Sequence, residues 1–105
     1  MIKIYQNRCA EFSPQSKKDA KYAMMMGAKN WQPEFAQFYI ASCEVDTDDL
    51  EEAFELTNLW NDMNKINFFA DPGPSSSVGD LFVDLKGQCF IVDNFGFTQV
   101  PNPFV

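Results

Sequence analysis

The sequence predicts an α+β fold, a sheet with helices packed on one of its faces, and three observations carry that prediction. Short β-rich runs separated by Gly, Asn and Asp fill the last third, SSSVGDLFVDLKGQCFIVDNFGFTQV from Ser75 to Val100, which is the pattern of consecutive antiparallel strands. Ahead of it, two strand-like runs alternate with two stretches of helical character. Finally, 46% of the 105 residues are apolar, with eleven Phe, three Tyr and two Trp, enough large side chains for one hydrophobic core. The expected order is β-α-β-α followed by a β-meander, with an antiparallel or mixed sheet and a single domain over 1–105.

Ile2-Lys3-Ile4-Tyr5-Gln6 alternates apolar and polar residues and reads as a first strand. Ser13-Pro14 has the form of an N-cap followed by proline at the first helical position, and QSKKDAKYAMMMGAK after it is rich in helix formers. Gly27 stands near its expected end. Met24, Met25 and Met26 fit as flexible core filler. Asn30 to Glu34 is a turn.

Phe35 to Val45 reads as one strand, Tyr39, Ala41, Cys43 and Val45 on one face and Phe38 and Ile40 on the other. A strand apolar on both faces belongs mid-sheet, so this is the expected central strand. Asp46 or Thr47 then caps a second helix, acidic in its first turn, where the helix dipole favours negative charge. Leu50, Ala53, Phe54, Thr57 and Trp60 recur at helical spacing as far as about Met63. Asn64 to Ala70 is a short strand or extended segment, and Asp71 to Ser77 a proline-interrupted loop. The meander follows, with breaks at Lys86-Gly87 and Asp93-Asn94.

Charge and cysteine usage exclude several functions. A net charge of −7 argues against direct binding to nucleic-acid phosphates or an anionic membrane. No run is long enough to span a bilayer and no signal peptide is visible, so a cytoplasmic protein is expected. Cys9, Cys43 and Cys89 form no CxxC pair and fit buried, reduced thiols. There is no histidine, which removes the commonest general base and a frequent zinc ligand. Asp80, Asp84 and Asp93 sit where turn-capping aspartates belong. The segment from Asp46 to Glu52 lacks the central glycine and ligand order of a calcium loop. No enzyme activity, metal or cofactor is expected.

The feature left over is acidic. Glu44, Asp46, Asp48, Asp49, Glu51, Glu52, Glu55 and Asp62 occur in one stretch without a Lys or Arg. They form either a solvated face or a strip that docks on the basic surface of a protein partner. Lys17, Lys18, Lys21 and Lys29 gather opposite charge near the first helix, a polarity also compatible with self-association.

Lys3-Ile4-Tyr5-Gln6, Leu50-Glu-Glu-Ala-Phe54 with Thr57-Asn58, and Ser77-Val-Gly-Asp80 leading to Asp93-Asn-Phe-Gly-Phe97 share an order over most of the chain. That order resembles small uncharacterised proteins of bacteriophages and plasmids, with an ending similar to YodL-like domains. The resemblance transfers no catalytic residue. It implies an accessory protein of a mobile genetic element, at work in a bacterial cytoplasm. The leading expectation is therefore a non-enzymatic protein that binds and modulates a host or phage protein through the acidic strip. Its sharper form is a nucleic-acid mimic that inhibits a nucleic-acid-handling factor. The alternatives are a small-ligand or catalytic pocket between meander and second helix, lined by Trp60, Phe82 and Phe97, and a self-assembling structural protein.

Overall fold

β1 (Ile2–Asn7) lies inside the sheet, with β2 (Tyr39–Val45) on one side and β4 (Leu81–Val83) on the other. In the computed structural model, which describes residues 1–7, 27–59, 62–69 and 76–104, six strands run in the order β3-β2-β1-β4-β5-β6, all neighbours antiparallel. β3 is Ile66–Phe68, β5 is Cys89–Val92 and β6 is Phe97–Val100. The expected α+β class and the three-strand meander are present, and the sheet is antiparallel rather than mixed. The centre belongs to β1 and β4. The strand expected there, β2, is one place in from the edge.

One bulge explains most of what alternation mispredicts in β2. Ile4 pairs with Cys43 but Tyr5 pairs with Ala41, so Ser42 is an extra residue on the β2 side. The bulge shifts the phase. Cys43 and Val45 pack with Ile2 and Ile4 on one face, while Tyr39 packs with Tyr5 on the other. The four residues expected on one face are thus divided between two. The segment before β2 also differs: Pro33–Phe38 forms a 3-10 helix, and the strand begins at Tyr39. Pro33 presets the first helical turn and Glu34 suits its N-terminus.

α1 (Leu50–Leu59) is the acidic helix. Asp49, rather than Asp46 or Thr47, is its cap: Oδ1 accepts the Glu51 N–H at 2.9 Å and the Glu52 N–H at 3.4 Å. Thr47 Oγ1 is occupied one step earlier, accepting the Asp49 N–H at 3.1 Å. The helix stops at Leu59, and Met63–Lys65 is a separate 3-10 turn leading into β3. Ala53 and Leu56 bury against Ile2, Ile4, Val45, Ile66 and Phe82.

The opposite face is covered differently. Trp31 and Tyr39 bury Leu81, Cys89 and Ile91, with Phe35 and Phe104 packed around them. Tyr5 and Phe104 stack with centroids 3.9 Å apart. One face of the sheet therefore carries α1, and the other a 3-10 segment and the C-terminal tail. The first predicted helix, with Cys9 and the methionine triplet, lies outside the described residues, as do Trp60 and most of the proline-interrupted loop.

The Ser77-Val-Gly-Asp80 corner ties these layers together. Asp80, only 3% exposed, accepts the Asn7 N–H from the end of β1 and the Ser77 N–H from its own turn, each at 2.9 Å. Its backbone carbonyl accepts the Val92 N–H at 2.9 Å, and Gly79 N–H donates back to Val92 O at 2.9 Å. Gly79 has φ +97°, a region that disfavours any side chain. Its carbonyl accepts the Tyr39 hydroxyl, which in turn accepts the Trp31 indole N–H at 3.2 Å. Ser76 shares a 2.7 Å hydrogen bond with Thr57 of α1. These groups are largely buried, and satisfying them here holds helix, β1 and β5 in one arrangement.

Candidate functional site

α1 and the β5–β6 turn face each other across an open trough of about 580 Å³. Its floor is apolar: Phe54 from the helix, Val78 from the corner, Val92 from β5 and Phe97 from β6. Phe97 stands edge-on to Phe54 at 6.3 Å and rests on Phe82 at 5.2 Å. Phe82 is fully buried, so it supports the floor and does not line it. Of the three side chains expected to line a pocket here, Phe97 does so, and Trp60 lies outside the described residues.

The rim is polar and acidic. Glu51 and Glu55, four residues apart, stand on the same flank of α1. Across from them is Asp93, whose Oδ2 accepts the Thr98 hydroxyl at 2.7 Å and whose Oδ1 accepts the Asn94 N–H at 2.8 Å. The Thr98 bond, then the Asn94 bond, holds this carboxyl below the usual aspartate range, so it is charged at neutral pH. The turn itself closes through Asp93 N–H to Gly96 O at 2.9 Å, with Gly96 at φ +73°. This geometry throws Phe95 outward, 96% exposed, while Leu59 at the end of α1 is 60% exposed. Exposed large apolar side chains beside a concave surface mark contact sites more often than isolated ones do.

The eight acidic residues have different surroundings. Asp49 caps α1, Asp48 pairs with the N-terminal ammonium, and Glu52 meets Lys65 at 3.4 Å. Glu44 sits half-buried within β2, between Lys3 and Asn67 in the ladder. Asp46 is exposed after the end of β2, and Asp62 flanks a second, polar depression of about 360 Å³ shared with Glu52, Glu55 and Lys65. Glu51 and Glu55 alone reach the trough. Among the described residues neither forms a salt bridge. Sequence reasoning listed these two but missed Leu59, Asp93, Asn94 and Phe95. The available signal was an aromatic in a turn, Asn94-Phe95-Gly96, where polar residues usually sit.

The described cysteines are free and buried. Loss of solvent pushes the Cys43 thiol up to about 11 and the Cys89 thiol up to about 12, which leaves almost no thiolate at neutral pH. Among the described residues no three His, Cys, Asp or Glu side chains converge as metal ligands, and no helix is long and apolar enough to cross a membrane. Set against family models, curated proteins and solved structures, the chain matches none.

Proposed function

We propose that the chain is a non-enzymatic protein-binding module, an accessory protein of a phage or other mobile element that modulates a host or phage protein. The observation that carries this reading is the pair Glu51 and Glu55: two carboxylates one helical turn apart, exposed and with no salt bridge to a described residue, at the lip of an apolar trough. Charge held on a rigid helix steers a basic surface toward it, and the adjoining apolar area supplies the contact that outlasts the encounter. An inhibitor that occupies the nucleic-acid site of a basic protein is the sharper form of this reading, since spaced carboxylates can stand in for phosphates.

The test is capture of partners from bacterial lysate by the tagged protein and by its Glu51→Lys/Glu55→Lys variant, in low and high salt. The reading expects one basic protein that is retained at low salt, released at high salt and absent from the variant. Equal capture by the two proteins would reduce the acidic pair to a solvated helix face.

A further inference from the structure

We propose that the trough receives a cationic amphipathic helix of the partner, with two or three aliphatic side chains on Phe54, Val78, Val92 and Phe97 and Lys or Arg residues on Glu51, Glu55 and Asp93. The proposal rests on the protein-binding reading above and names the class of segment recognised. Three features select this occupant. The trough is open along one side, whereas small ligands are enclosed over most of their surface. A segment approaching from one side is bound from one side, as when a helix lays its apolar face into a groove. The rim charges are all negative, so two copies meeting trough to trough would bring like charges together, and a cationic segment would meet its complement. The carboxylate spacing completes the match. Glu51 and Glu55 lie about 5–6 Å apart at their Cβ atoms, the separation at which a partner helix presents its own i and i+4 cations. Leu59, which lines the trough, and Phe95, fully exposed between the lining residues Asn94 and Gly96, would close over the bound helix and exclude water from the ion pairs. Aromatic and apolar anchors of this kind carry most of the energy in such interfaces.

Two synthetic peptides of about 15 residues, long enough to form helix on binding, test this directly. Both place Leu at the same i, i+3, i+4, i+7 positions; one carries Lys elsewhere and the other Glu. Fluorescence anisotropy gives affinities for the full chain, and amide shift changes locate the contact. The expected result is one-to-one binding of the Lys peptide, with shifts at Phe54, Val92 and Phe97, and at least tenfold weaker binding of the Glu peptide. Leu59→Ser/Phe95→Ser, at exposed positions that leave the core intact, should weaken the Lys peptide about tenfold, as should Glu51→Lys/Glu55→Lys. The proposal fails if neither peptide binds, or if the Leu59→Ser/Phe95→Ser variant binds the Lys peptide unchanged. It fails equally if shifts spread over Asp46 to Asp49 instead of the trough, or if concentration-dependent shifts in peptide-free protein assign the trough to a second copy. Running Leu59→Ser/Phe95→Ser through the lysate capture separates the two readings. Should it keep a partner that Glu51→Lys/Glu55→Lys loses, protein binding stands and the helix-in-trough mode falls.

Discussion

On one face of the sheet Trp31, Tyr39 and Phe104 close over Leu81, Cys89 and Ile91, and on the other α1 covers Ile2, Ile4 and Val45 but leaves Phe97 half-open. The difference is first one of width. Six strands spaced about 4.8 Å apart make a sheet roughly 24 Å across, and one helix is about 10–12 Å across with its side chains. Ala53 and Leu56 of α1 are buried in the core, and its flank reaches β6 through the edge-on contact of Phe54 with Phe97, beside which the trough opens. The other face is covered by irregular chain, which can follow the sheet and bring its own hydrogen-bond partners. There the Tyr39 hydroxyl accepts from Trp31 and donates to Gly79, so even the polar tips of the aromatics are satisfied. A sealed face stabilises the fold. An open one keeps apolar surface available for something else.

Substitutions can break this contrast in order of severity. Phe82→Ala removes the ring beneath the trough floor, a fully buried side chain, and should cost about 3–5 kcal/mol in urea unfolding. A loss below about 1 kcal/mol would mean that the floor is not packed as described. On the sealed face, Tyr39→Phe leaves the Gly79 carbonyl and the Trp31 indole N–H without their shared partner, and a loss of about 1–3 kcal/mol is expected. The buried thiols report the same seal through pH. Their folded pKa values, about 11 and 12, lie above the ordinary 9.0. Their contribution is therefore complete below pH 9 and disappears as pH rises through 11 and 12. In a Cys9→Ser background at pH 8, iodoacetamide should label Cys43 and Cys89 only as fast as the protein unfolds, and rapid labelling of folded protein would contradict their burial. Least disruptive are Leu59→Ser and Phe95→Ser, each expected within about 0.5 kcal/mol of the parent. A larger stability loss would show that these side chains pack internally and are not free for a partner.

How far these regions could be read from the sequence depended on whether the determining partner was local. The meander was legible because its turns are written in adjacent residues: Gly79 and Gly96 take positive φ, and Asp84 Oδ1 accepts the Lys86 and Gln88 N–H groups at 2.9 Å within its own turn. β2 was misread because its bulge at Ser42 exists only against β1, and no local alternation announces it. At Pro33–Phe38 the signal was local but outvoted, since Phe35 and Phe38 suggested strand where Pro33 and Glu34 suggested a helical turn. The acidic stretch could be counted in advance but not sorted. Lys65 and the N-terminal ammonium, which engage Glu52 and Asp48, come from elsewhere in the chain. Asp80 was expected to cap a turn, and does so with Ser77, but its bond to Asn7 spans 73 positions.

The place of β1 in the sheet also sets a timetable. It is the first of the described strands to be synthesised, and one of its two neighbours, β4, is completed only at Val83, with Lys3 opposite that residue. At about 5–20 residues per second on the ribosome, β1 waits some seconds with one edge open. Closing a loop of about 80 residues carries an entropic penalty of roughly 4 kcal/mol, from the logarithmic dependence on loop length, whereas each meander hairpin closes over a few residues. The C-terminal strands should therefore assemble among themselves and then capture β1, making that docking the slow step. A cell that produces this chain must keep an apolar first strand, Ile2 and Ile4 foremost, from pairing with other molecules until its last third has been made.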